Sequence, residues 1–219
     1  MKEKIYPESK VEVRNWEVPF YDLFLNVATA GQYASFIAGA VRAMKIGPDD
    51  RILDLGAGTG RNARLIIPHL SGSGDYLGMD ISRSMVGKFA RKCAPFPNAR
   101  IIRARLDREF PLRTRFDKIF ISFVLHGLPH GQREKLLERV GSYLKDEGQL
   151  FILDYNEFSL NDMPWYLRLG FKYMECPYAF DFIARDWKEI LRGKNMNDFR
   201  ESLFFSGYVR LLRARRKGE

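Results

Sequence analysis

Cysteine is scarce in this chain of 219 residues: Cys93 and Cys176 are the only two, 83 positions apart and outside any CxxC spacing. A disulfide scaffold needs several paired cysteines and a structural zinc site needs clustered Cys and His, so neither is expected. Histidine is almost as rare, with His69, His126 and His130 the whole supply, and no resident metal is expected. Long apolar runs are missing too. The longest, Ala34 to Val41 and Ile119 to Leu125, fall far below the ~20 residues that cross a bilayer. From Met1 to Trp16 charged residues recur without an apolar core or a small-residue cleavage site, so no secretory leader is expected and the cytoplasm is the expected compartment. Repeats and low-complexity tracts are absent, which excludes solenoids and propellers. Negative charge is in deficit, 27 Asp and Glu against 36 Lys and Arg, for a net +9, and 23 of the cations are arginine. Arginine suits bidentate recognition of phosphate, so an anionic partner, whether nucleic acid, a membrane surface or a phosphorylated substrate, stands beside a plain solvated basic surface.

What the chain does have is an ordered change of periodicity. Phe36, Ile37, Ala40, Val41 and Met44 recur at helical spacing over Ser35 to Met44, and Ile46-Gly47-Pro48 stops that helix. Buried strands are predicted over Arg51 to Leu55, Tyr76 to Met79, Arg100 to Ala104, Asp117 to Phe123 and Gln149 to Asp154. Helices over Arg83 to Lys92 and Gln132 to Leu144 alternate with them, the second ended by Asp146-Glu147-Gly148. Apolar strands without internal alternation, separated by helices, predict a parallel sheet covered on both faces, that is, a doubly wound α/β domain. Nine aromatics crowd residues 158 to 187, and one helix is predicted from about Phe180 to Arg192. Asp198 to Phe205 and Tyr208 to Arg215 then predict a hairpin on a two-residue Ser206-Gly207 turn, which makes the last strand antiparallel. One domain is expected over 1 to 219, with an N-terminal helical cap over 1 to 45 and an aromatic-rich lid or insertion over 155 to 180.

The first strand runs into Gly56-Ala57-Gly58-Thr59-Gly60. Glycines at alternate positions let backbone approach a ligand and permit positive φ, next to a helix N-terminus that favours anionic or nucleotide-like groups. Arg61 stands where a dinucleotide fingerprint requires glycine, so GxGxxG is not met. Asp80 ends the second strand, 20 residues after the last loop glycine, where a carboxylate can accept both hydroxyls of a ribose. The alternative for these residues is a tight turn followed by an ordinary helix cap at Asp80 or Ser82.

The run Leu53 to Gly60 with Asp80 resembles motifs I and II of the class I S-adenosylmethionine-dependent methyltransferases. Phe116-Asp117-Lys118-Ile119 with Ser122 resembles the family's fourth-strand motif, and Leu144 to Leu150 its LKPGGxL turn with the Pro and one Gly replaced. The resemblance covers about residues 20 to 215 and implies a seven-stranded, mostly parallel sheet with an antiparallel last strand. It also implies that Asp54, Gly56, Ala57, Gly58 and Gly60 surround the methionine part of S-adenosyl-L-methionine, that Asp80 holds its ribose, and that Met79 and Ile81 sandwich its adenine. Asp107 is the candidate for the adenine amino group, and Ser122 a further cofactor contact. Within the family, Tyr21-Asp22-Leu23-Phe24, Thr29-Ala30-Gly31 and Leu77 to Met85 are similar to the ubiquinone and menaquinone biosynthesis C-methyltransferases, whereas Ser122 to His126 follows a pattern shared with small-molecule N- and O-methyltransferases.

Methyl transfer from a sulfonium mainly needs two reactants held in line. A base is required where the acceptor atom carries a proton, and His126, just past the fourth strand, is the candidate, with turn capping as its structural alternative. Tyr21 is the second catalytic candidate, closing from the N-terminal segment, or else a packing residue. The aromatic segment suits a hydrophobic acceptor, quinone-like or lipid-like. Two arginine clusters, Arg100 to Arg115 and Arg210 to Arg216, leave an RNA methyltransferase as the alternative, and a non-catalytic cofactor-binding protein as a third reading.

Overall fold

The computed structural model describes residues 33 to 218. Its strands are β1 (Arg51–Leu55), β2 (Asp75–Asp80), β3 (Ala99–Arg103), β4 (Phe116–Ser122), β5 (Leu144–Tyr155), β6 (Met196–Phe204) and β7 (Val209–Arg216). They form one seven-stranded sheet in the order β3-β2-β1-β4-β5-β7-β6. Every pairing from β3 to β5 is parallel, and β7 runs antiparallel to both of its neighbours. The order reverses between β1 and β4, which opens a crevice at the carboxyl ends of those two strands.

Strand residues alternate between two cores because successive side chains leave a strand on opposite faces. Helices α1 (Tyr33–Ala43), α2 (Ala63–Ile66) and α3 (Arg83–Cys93) bury Ile37, Ile66 and Phe89 against Ile52, Tyr76, Phe120 and Phe151. On the other face α4 (His130–Tyr143), α6 (Pro177–Ile183) and α7 (Trp187–Arg192) bury Leu136, Val140, Phe182, Trp187 and Leu191 against Leu53, Met79, Ile121 and Ile152. Helix α5 (Trp165–Met174) lies between β5 and α6 in sequence and buries Phe171. Among the described residues no helix is long and apolar enough to cross a membrane.

Three elements differ from the sequence expectation. The helix expected from Phe180 to Arg192 is two, because Asp186 accepts from the Glu189 backbone N–H at 2.9 Å and so begins α7 anew. Phe182 and Trp187 stack across the break at 4.4 Å, so the apolar spacing stays continuous where the backbone does not. Strand β5 begins at Leu144 rather than Gln149: Asp146-Glu147-Gly148 forms an excursion inside the strand, with Glu147 at φ +61° and a register shift opposite Phe116 and Lys118. A Cβ on Gly148 would lie 2.7 Å from the Lys145 carbonyl oxygen, which is why glycine stands there. The final hairpin turns through Phe205, Ser206 and Gly207, all at positive φ, not through two residues. Most of the expected N-terminal cap, with Tyr21, lies outside the described residues.

Candidate active site

The loop after β1 holds Gly56, Gly58 and Gly60 at φ +86°, +56° and +80°. Packing dictates two of them. A Cβ on Gly56 would overlap Val124 Cγ2, and one on Gly60 would lie 2.8 Å from Phe89 and 3.0 Å from Cys93 Sγ. Gly58 differs, since the nearest atom to its Cβ position is the Gly56 carbonyl oxygen at 3.9 Å. Among the described residues, its missing side chain therefore leaves room at the tip of the loop. The Gly56 and Ala57 N–H groups donate to the Met79 carbonyl at 2.8 and 3.0 Å, clamping the loop to the end of β2.

Asp80 completes the clamp. Its carboxylate accepts from the Gly58 N–H at 2.9 Å and the Ser82 N–H at 2.8 Å. The Ile81 N–H is a further backbone donor, and because a carboxylate offers about four acceptor positions, acceptor capacity remains for a ligand. Burial raises the Asp80 pKa against the pull of these backbone donors. Ser82, not Asp80, caps α3, through the Met85 N–H. Asp54 is buried beneath the loop on the same face of the sheet as Tyr76, whose hydroxyl donates to Asp54 Oδ2. Asp54 Oδ1 is buried with no hydrogen-bond partner among the described residues, and burial pushes its pKa up to about 7. Such an acceptor has room for a further donor.

The other expected cofactor contacts separate. Ile81 is half-buried at the crevice and Ser122 accepts from Asn62 Nδ2 at 3.3 Å. The Met79 side chain alternates away from Asp80 into the core with Leu53 and Leu55, and its carbonyl accepts from the loop. Asp107 beyond β3 is gripped by the Arg105 guanidinium, which holds its carboxyl below the usual range.

A second cluster lies at the ends of β4 and β5. Phe123, at φ +52°, turns the chain out of β4, and Val124 packs against Gly56, which brings His126 to within a turn of the glycine loop. His126 is buried, with Nδ1 2.7 Å from Asp154 Oδ1 and its backbone N–H donating to Asp154 Oδ2 at 3.3 Å. Nε2 lies 3.8 Å from Glu175 Oε2, and Glu175 Oε1 accepts from the Tyr155 hydroxyl at 2.7 Å. Burial disfavours the imidazolium, but the charge and hydrogen bond of Asp154, with the charge of Glu175, outweigh it and raise the His126 pKa above 6.5. Buried Arg133 supports the turn, donating to the Leu125 and Tyr178 carbonyls and pairing with Asp181. His69 is exposed in a short 3-10 helix, and His130, four residues past His126, opens α4 with Nε2 3.8 Å from Glu134 Oε2.

Asp154, Glu175 and Tyr155 were not anticipated. Asp154 carried a usable signal, an apolar strand ending in an acid, as Asp80 does; Glu175 carried none.

Residues 52–148 match the family model of the methyltransferase domain. The ubiquinone/menaquinone biosynthesis C-methyltransferase UbiE of Bordetella parapertussis is 26% identical over 178 residues, covering 75% of this chain and 66% of its own length. The demethylmenaquinone methyltransferase of Lysinibacillus sphaericus is 24% identical over 170 residues, covering 77% of this chain and 71% of its own. The domain match over residues 52–148 and these relatives support a class I S-adenosylmethionine-dependent methyltransferase. The fold agrees: a crystal structure of such a methyltransferase from Aquifex aeolicus superposes with a TM-score of 0.60 at 18% identity, over 80% of this chain and 88% of that one. S-adenosylmethionine is the family's methyl donor, and the residues present fit it. The room at Gly58, the free acceptor positions of Asp80 and the orphaned Oδ1 of Asp54 suit, in turn, close backbone approach, a ribose diol and an ammonium group.

Proposed function

We propose that the protein methylates a small apolar acceptor whose nucleophilic atom carries an acidic proton, a quinol- or phenol-like molecule, with His126 taking that proton. The paired His126 and Asp154 carry this reading. Asp154 accepts from Nδ1–H and so fixes the tautomer that leaves the Nε2 lone pair free, the arrangement a general base requires. The charge of the imidazolium then formed is balanced by Asp154 and Glu175. When bound, the donor supplies a methyl group already activated by a positive sulfur, so the chain's residues have chiefly to orient, exclude water and accept one proton. Asp54, Gly58 and Asp80 would hold the donor.

Support for an apolar acceptor comes from the rings around the base. His126 meets Phe123 and Tyr155 edge-on at 6.4 and 5.1 Å, and Tyr155 meets Phe171 at 5.1 Å. The names of the Bordetella and Lysinibacillus relatives favour a quinone-like molecule. The RNA reading draws no support from the terminal arginines, since Arg210 is held by Glu157 and Glu201 and Arg213 by Asp198. Two free, buried cysteines suit the reducing cytoplasm. Incubation with labelled donor and a panel of reduced quinones and phenols tests the proposal. Label in an extractable apolar product, lost in His126→Gln, is the expected result; label in RNA alone, or none with any acceptor, would overturn it.

A further inference from the structure

Helix α5 presents an apolar face to solvent as well as one to the protein. Its inner residue, Phe171, packs edge-on against Tyr155, Phe158 and Phe180 at 5.1, 5.9 and 5.3 Å. Outside, Trp165, Tyr166, Leu169 and Tyr173 are 70%, 58%, 48% and 77% exposed. At 100° per residue these four fall within a sector of about 100°, the width of a buried helix stripe, yet among the described residues it stays exposed. Contiguous exposed apolar surface of this kind marks an interaction site. Arg168 and Lys172 flank the same sector, and the sequence WYLRLGFKYM contains no acid.

The chemistry selects the occupant. Tryptophan and tyrosine carry an apolar body with a polar tip and settle at the boundary between lipid headgroups and acyl chains. Lysine and arginine beside them place their charge among anionic headgroups while their stems stay in the apolar layer. A helix that combines the two, with one face already anchored to its protein, matches an interfacial helix lying in the plane of a bilayer. We infer that α5 docks the protein on an anionic membrane surface, with Trp165, Tyr166, Leu169 and Tyr173 entering the boundary layer and Arg168 and Lys172 meeting lipid phosphates. The inference stands on α5 alone, independent of the acceptor proposed above. Were the acceptor dissolved in the bilayer, the helix that touches lipid would also carry Phe171 into contact with Tyr155, next to His126.

Co-sedimentation of the full chain with vesicles tests it, using phosphatidylcholine alone and phosphatidylcholine mixed with phosphatidylglycerol. Binding is expected to the mixed vesicles only and to weaken with salt. Arg168→Glu with Lys172→Glu is expected to lower partitioning about tenfold or more, since each cation near an anionic surface is worth about 1 kcal/mol. Trp165→Ser with Tyr173→Ser is expected to lower it at least as far, and thermal unfolding of each variant, run beside the wild type, separates lost docking from lost folding. Amide exchange over residues 165 to 174 should slow when phosphatidylglycerol vesicles are added. Binding to neither vesicle, or equal binding by wild type and both variants, would overturn the inference. So would self-association in the absence of lipid that Trp165→Ser with Tyr173→Ser abolishes, which would give the face to a second copy of the chain.

Discussion

The two halves of the site are built in different ways. On the β1 and β2 side, three glycines in five residues and one carboxylate 22 positions from Gly58 form a loop held almost wholly by backbone hydrogen bonds. On the β4 and β5 side, the parts come from scattered segments: His126 meets Asp154 across 28 positions, Tyr155 meets Glu175 across 20 and Arg133 meets Asp181 across 48, all through side chains. Backbone recognition suits a donor whose form does not vary, whereas a side-chain-built pocket can be rebuilt for another acceptor by substitution without touching the loop.

The sharpest way to separate the halves is to damage one and assay the other. Asp80→Ala removes the carboxylate that fastens Gly58, and binding of the demethylated cofactor, followed by calorimetry, is expected to fall at least about a hundredfold, as loss of a buried charge-assisted hydrogen-bond centre implies. Within the loop the glycines should part. Gly58→Ala meets open space and costs only about 1 to 2 kcal/mol of left-handed backbone strain, yet fills the room a ligand would use. Gly56→Ala adds an overlap with Val124, raising the cost to roughly 2 to 5 kcal/mol. Chemical denaturation of both variants beside calorimetry checks the division; equal loss of stability would break it.

On the other side, Asp154→Asn and His126→Gln are expected to leave cofactor affinity unchanged and lower kcat/KM by about 10² to 10⁴, the span of general-base contributions. The wild-type rate should climb with pH through a value above 6.5, because the raised His126 pKa keeps the base protonated to higher pH. In Asp154→Asn that limb should move down as the chief opposing charge is lost. Stability follows the opposite course: the imidazolium's contribution is complete below 6.5 and disappears as pH rises through the folded value. Melting temperatures taken over the same range check the sign.

The difference in construction also explains what the sequence made legible. The parallel sheet followed from runs such as Ile52 to Leu55 and Phe116 to Ser122, whose burial on both faces is written in their composition, and the antiparallel β7 from the terminal hairpin. The glycine loop and Asp80 are contiguous or end a strand, so their proximity is local information. Glu175 reaches His126 only because α5 and α6 fold back over the end of β5, and no spacing encodes that.

The smallest expected effect lies where the comparison is finest, at Tyr76, a core residue that reaches the site only through Asp54. The Tyr76 hydroxyl donates to Asp54 Oδ2, and this bond lowers a carboxyl pKa that burial has driven up to about 7. Tyr76→Phe deletes the donor while keeping the ring stacked on Phe89 at 5.9 Å, so packing is conserved and the Asp54 pKa rises further. If ionised Asp54 is what receives an ammonium group of the donor, cofactor binding strengthens as pH passes through about 7 in the wild type and does so at higher pH in the variant. The two affinities should converge in alkaline buffer and differ by a few fold near neutrality, where a shift of half a unit to one unit changes the ionised fraction by that amount. Asp54→Asn supplies the reference, with weaker binding and no pH dependence from this group. A Tyr76→Phe titration that superposes on the wild type would detach Asp54 from the donor site and leave the backbone loop as its sole author.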